Sequence, residues 1–203
     1  MARARRTQLG IGITAVLAVS AAIVPASTAA AESDCGEPYK PIYEIQGDAA
    51  DSPLDGNSEI TTEGIVTVDL QRTDQIQGFF LQDPRGDRDS STSDGIFVYH
   101  QDTWNTDYDF EVGDHVRITG TVDEQYGNTQ IEWLTDGEVC GSGKVRALKL
   151  DTRQFNAGAE QHEGMYVQFR NQLAVTDTYN LHRYGEVWLS AKDVVEQSTN
   201  EFP

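Results

Sequence analysis

The stretch GFFLQDPRGDRDSSTSDGIFVY, Gly78 to Tyr99, decides the fold. Two short runs, Gly78 to Gln82 and Gly95 to His100, flank a polar loop and are apolar on successive residues. A strand that is apolar on successive residues is covered on both faces, as in a closed barrel, so the stretch predicts a hairpin within one.

Working outward, residues 60–70 (ITTEGIVTVDL) make a first strand, rich in β-branched side chains and with Gly64 at a bend. Residues 101–111 form an irregular or weakly helical connection, and the turn Val112-Gly113-Asp114 feeds a fourth strand, His115 to Val122. There Val116, Ile118, Gly120 and Val122 alternate with Arg117, Thr119 and Thr121, a period of two. Gly120, with no side chain to pack, suits a strongly coiled strand. Tyr126-Gly127-Asn128 then turns the chain into a fifth strand, Thr129 to Leu134. Five strands with a longer connection between the third and fourth is the order of an OB-fold. The expected class is therefore all-β: an antiparallel OB-fold-like barrel over residues 59–135, with a five-stranded sandwich as the alternative of equal spacing.

Residues 1–31 read as a signal peptide: Arg3, Arg5 and Arg6, then a mostly apolar run from Leu9 to Ala22, then Ala29-Ala30-Ala31 for cleavage. The apolar run is short and followed by Pro25, which favours export over a membrane anchor, so the expected location is extracellular with no membrane association after cleavage. The two cysteines of the chain, Cys35 and Cys140, are what an oxidising compartment pairs. Their bridge would close a loop of about 105 residues, worth about 4–5 kcal/mol in the chain-entropy view. Residues 32–145 then form the barrel with an N-terminal arm, extended at Ile42 to Ile45. Residues 146–203 form an incomplete second β unit, where Glu163-Gly164-Met-Tyr-Val echoes Glu63-Gly64-Ile-Val-Thr. Gln172 to Asp177 and Tyr184 to Ser190 add two strand candidates, and three strands do not close a barrel. Their partners are expected beyond Pro203, the alternative being packing on the first barrel.

Charge is uneven along the chain. Its 15 Lys+Arg stand against 33 Asp+Glu, and residues 32–145 alone hold 6 basic and 25 acidic side chains against 6 and 8 in residues 146–203. Such a field repels phosphate backbones unless cations intervene; solubility in a salty exterior is the blander account. Asp83, Asp87, Asp89 and Asp94 supply hard oxygens within twelve residues, beside Gly86 and Gly95, as calcium prefers. A solvated loop using Asp for its turn propensity is the competing reading. Phe79, Phe80, Phe97 and Tyr99 lie on the strands by which OB-folds stack single strands, and about half must point inward. The expected nucleic-acid face combines Tyr99, Arg117 and Arg85, an aromatic core with scattered surface arginines being the alternative. His100, His115, His162 and His182 lack zinc-ligand spacing, and no serine or cysteine sits in a nucleophile context. No catalytic residues are expected.

The run Glu63-Gly64, Gly78-Phe-Phe-Leu-Gln-Asp-Pro84, Gly86-Asp87, Thr92-Ser-Asp-Gly-Ile-Phe-Val-Tyr99 and Val112-Gly-Asp-x-Val116 resembles the OB-like domain of large secreted bacterial nucleases. Those proteins are sugar-nonspecific, depend on divalent metal such as Mg2+, and carry an endonuclease/exonuclease/phosphatase-type catalytic domain further along. Thr178 to Ser190 resembles the segment between the two domains, so the likeness covers about residues 42–200. The catalytic His, Asp and Glu motifs of that family have no counterpart here. The resemblance therefore implies a non-catalytic accessory region of a hydrolase, positioning nucleic acid or the catalytic domain. A stand-alone, calcium-loaded secreted protein binding protein or glycan is the rival.

Overall fold

The computed structural model describes residues 34–100, 108–184 and 186–191. Residues 1–31, read above as a signal peptide, lie outside them, as does most of the connection 101–111. β1 (Ile60–Leu70), β2 (Gly78–Gln82), β3 (Gly95–Tyr99), β4 (Asp114–Glu124) and β5 (Thr129–Ser142) close a barrel in the order β1-β2-β3-β5-β4, all-β and OB-like as expected. It is not wholly antiparallel. A ring with an odd number of strands cannot alternate direction all the way round, and the mismatch falls between β3 and β5. These pair in parallel through only Phe97–Gln130 and Val98–Ile131.

The core is the inward row of each strand. Val66, Phe79, Leu81, Ile96, Val98, Val116, Ile118, Val122 and Ile131 are all buried. Gly120 belongs to this packing, since a Cβ there would come within 2.7 Å of the Glu132 carbonyl oxygen and the Ile131 methyl. β5 runs to Ser142, well past Leu134, the end expected for it. Trp133 adopts a left-handed backbone (φ 53), and the register slips so that Thr121 faces Glu132 while Thr119 faces Asp136. The strand bends at this bulge and goes on pairing with the first half of β4.

The arm is docked across the barrel. Cys35 and Cys140 form the disulfide, with Cα atoms 5.5 Å apart. Lys40 N–H donates to the Thr61 carbonyl at 2.8 Å. Ile42 to Ile45 is not extended but belongs to α1 (Ile42–Gln46), which starts after Pro41 and stops at Gly47. Its reason is tertiary: Ile42 and Ile45, three apart on one helical face, both join the barrel core. Gln46 then donates through Nε2 to the Gly95 carbonyl at 2.7 Å, supporting the start of β3.

Beyond the barrel, β6 (Leu148–Leu150) and β7 (Val167–Phe169) pair in parallel around α2 (Thr152–Ala157), and β8 (Leu173–Asp177) pairs with β9 (Trp188–Ala191). Asp151 caps α2 by accepting from the N–H groups of Arg153 and Gln154. Residues 160–166 form a strap on the barrel. Ser93 Oγ donates to the Glu163 carbonyl at 2.6 Å and Tyr166 N–H to Gln82 Oε1 at 2.7 Å. A Cβ on Gly95 would overlap the Gly164 backbone, so two glycines allow the approach. The Glu-Gly echo is thus one of sequence only. Glu63-Gly64 lies inside β1, whereas Gly164 turns a loop at φ +66.

The bridge joins the arm to the far end of β5, so reducing it frees a loop of 105 residues. Replacing Cys35 and Cys140 by serine should lower stability by up to about 4–5 kcal/mol. Thermal melts followed by circular dichroism measure this; an unchanged midpoint would show that the arm is held without the bridge.

Candidate ligand-binding face

Alternation along the β2–β3 hairpin sorts its aromatic residues. Phe79, Leu81, Ile96 and Val98 are 0% exposed. Phe80, Phe97 and Tyr99 lie on the opposite, outer face and stay partly exposed, so the hairpin is not covered on both sides. Phe80 and Phe97 are direct cross-strand partners, with ring centroids 5.0 Å apart and planes tilted by 45°. Gly78 makes room for them, because a Cβ there would run into the Phe97 ring. Tyr99 donates weakly to Gln77 Oε1 at 3.4 Å.

These rings floor a cleft of about 710 Å³. Ile76 and the fully exposed Tyr126 extend the apolar surface, and the β4–β5 turn that carries Tyr126 also contributes Asn128. Gln75, Gln125 and Gln130 add carboxamides, while among the described residues the charged ones lining the cleft are Glu132 and Glu186.

The two arginines expected beside Tyr99 are elsewhere. Arg117 is 8% exposed and points into the seam between arm and barrel. It donates to Glu63 Oε1 at 2.7 Å, to the Glu37 carbonyl at 2.9 Å and to the Pro38 carbonyl at 3.0 Å. Its place on an alternating strand suggested an outward cation; the arm covers that side, so Arg117 is withdrawn from any solvent-facing surface. Arg85 follows the far end of the hairpin. Tyr99 pairs with Gly78 and Gly95 with Gln82, which separates the two ends by about 13 Å at the usual rise per residue. Arg85 lines a different cleft, of about 550 Å³, with Tyr39, Tyr43, Asp83, Asp87 and Arg88.

The aspartate loop is wound around its own carboxylates. Asp83 Oδ1 accepts from the N–H groups of Arg85 (2.8 Å) and Gly86 (3.2 Å). Asp87 accepts from Asp89 N–H at 2.7 Å and Thr92 Oγ1 at 3.1 Å. Asp89 accepts from Ser91 N–H and Oγ, which hold its carboxyl below the usual range. Asp94 differs. Burial pushes its carboxyl up, and the neighbouring Asp87 and Asp83 charges add to this against one N–H bond from Asp87. Its Oδ1 is buried with no hydrogen-bond partner. Gly86, at φ +57, is the residue that lets this carboxylate into the loop. Asp83 and Asp87 thus lie near enough to raise the Asp94 carboxyl, but the three do not bring their oxygens within 4.8 Å of one another. Among the described residues, the group whose ligand atoms lie within 4.8 Å of one another is Cys35, Glu138 and Cys140, and its sulfurs are bonded to each other.

One site residue has no signal in the sequence. Glu163 brings its carboxylate to the open edge of β5, where Thr129 N–H donates to Oε1 at 2.8 Å. Burial pushes its carboxyl up from 4.5 to about 7, with the Glu160 and Glu124 charges adding to the effect and bonds from Thr129 and Gln46 opposing it. The strap that carries it walls a second cleft beside Phe80.

The folded chain holds the Glu163 proton more tightly than the unfolded chain. Its contribution is therefore complete below about pH 4.5, shrinks as pH rises towards 7, and levels off above. Glu163→Gln should flatten this part of the stability profile, seen as a smaller loss of melting temperature between pH 5 and about 7 than in the parent. Parallel profiles for the two proteins would mean that the strap does not respond to this carboxyl.

A scan of protein-family models and a search of curated proteins return no match to this chain.

Proposed function

We propose that this chain is a non-catalytic accessory region of a secreted, divalent-metal-dependent nuclease, which holds unpaired nucleic acid by its bases on the outer face of β2 and β3. The observation that carries the reading is the outward row of Phe80, Phe97 and Tyr99 on an OB-like barrel. Flat rings on this face stack bases of any sequence, each contributing about 1–3 kcal/mol. The Cys35–Cys140 bridge supports an oxidising, extracellular setting.

Charge sets the conditions under which the face works. At a net charge of −18 the chain repels phosphate, and a binding event releases few counterions. The buried, unpartnered Asp94 Oδ1 is a hard oxygen of the kind calcium takes, and an ion there would draw the nearby Asp83 and Asp87 carboxylates towards it. Such an ion supplies local positive charge at the loop end of the hairpin. Asp94 and Asp87 hold it, while Arg85 and Arg88 stand at the neighbouring cleft.

Fluorescence anisotropy with a short single strand tests the reading. Binding is expected to be weak in chelator and stronger with calcium, to be lost in Phe80→Ala/Phe97→Ala, and to proceed without hydrolysis. Tight binding in chelator, or cleavage by the pure protein, contradicts it.

Calcium alone provides a separate check. It should raise the melting temperature by mass action, and Asp87→Asn/Asp94→Asn should abolish the rise. A rise that survives both changes places the ion elsewhere.

A further inference from the structure

The rim of the cleft above Phe80, Phe97 and Tyr99 is as informative as its floor. Among the described residues that line it, the charged members are Glu132 and Glu186, with no guanidinium or ammonium group of the kind an ordinary single-strand groove sets along the backbone. Both carboxylates are fixed by neighbours. Glu132 accepts from Gln130 Nε2 at 3.4 Å and from the Trp133 indole N–H, and Glu186 accepts from Asn180 Nδ2 at 2.8 Å. Arg72, three residues before Gln75, is turned to Asp74 at 3.1 Å and does not line the cleft.

Carboxamides share this lining. Gln130 is 7% exposed and set on β5 beside its ladder partner Phe97; Gln75 and Asn128 flank it in the lining. A carboxamide offers two donors and an acceptor in one plane. That matches the edge of a nucleobase lying flat on the rings, whereas a phosphate, an acceptor only, meets the negative charge of the rim. The volume, about 710 Å³, lies in the range of small-ligand clefts and holds a base with its ribose.

We propose that this cleft is a nucleoside site: it takes the uncharged base and sugar, stacked on Phe80 and Phe97 and read by the carboxamides, and its Glu132–Glu186 rim turns phosphate away. This rests on the base-stacking function proposed above and adds a ligand preference to it. A strand bound here keeps its bases in the cleft and its backbone outside, nearer to whatever cations bridge it.

Chemical-shift titration of the whole chain at low salt, in chelator, tests the proposal with adenosine, adenosine 5′-monophosphate and maltotetraose as probes. Adenosine should perturb the cleft, and the monophosphate should bind at least threefold more weakly. The gap should close at high salt, where exposed charges are screened, and in Glu132→Gln/Glu186→Gln. These substitutions are conservative and a circular-dichroism spectrum checks their fold. A monophosphate that binds as well as or better than adenosine overturns the rim's role and leaves base stacking standing. Failure of both adenosine and its monophosphate to bind, together with single-strand binding that Phe80→Ala does not weaken, overturns the site and the stacking function together. Binding of the oligosaccharide alone overturns both in favour of a glycan ligand.

Discussion

The ion pair between Arg117 and Glu63 is the contact on which the rest of this molecule depends. Both side chains are nearly buried, at 8% and 7% exposure, and bridge the β1–β4 ladder where Glu63 directly faces Arg117. A buried charge stays charged only if it is paired and its remaining donors are satisfied; removing one partner of such a pair costs about 3–5 kcal/mol. Arg117 meets that condition by binding two carbonyls of the arm as well as Glu63. His115, 3.4 Å from the other Glu63 oxygen, extends the network along β4. The barrel therefore needs the arm to satisfy its own interior. With the arm in place α1 closes the core through Ile42 and Ile45, and Gln46 reaches the start of β3.

A second constraint is parity. Five strands in a ring leave one parallel seam, and here it is only two residue pairs long. Backbone donors at the seam need partners from elsewhere. Glu163 accepts from the first of them, Thr129, and the strap around it accepts from Ser93 and donates to Gln82. Placing a carboxyl at that half-buried edge raises its affinity for a proton. The seam also borders the candidate face, because Phe97 belongs to both. Order in the strap and the shape of the face are thereby linked through shared residues.

The excess of acids on the chain and the aromatic face describe a surface that attracts rings and repels anions. Stacking and carboxamide contacts are short-ranged and little affected by salt, while the field around them extends over a Debye length of about 10 Å. In the function proposed here, affinity and selectivity come from different parts of the molecule: the outer rings of β2 and β3 provide the first, and the carboxylates of the rim and the loop the second.

Much of this was legible in one dimension. The β-branched run of β1, the period of two in β4 and the paired apolar runs around the aspartate loop specify strands, because side-chain alternation is a property of the backbone alone. The cysteine pair was legible because the two thiols of a chain read as exported have only each other. Three things were not. Whether Phe79 or Phe80 faces inward depends on a register that one residue of slip would reverse, and ladder and core settle it together. Ile42 to Ile45 fits a strand or a helix turn equally well until a barrel end offers two neighbouring sites for isoleucines one turn apart. Arg117 reads as an outward cation in a strict alternation, and only the arm folding over it makes it an interior one. The sequence by itself determined which segments are strands and which atoms are available for chemistry. Tertiary structure decided which of those atoms meet solvent, since exposure depends on what packs against a residue from elsewhere in the chain.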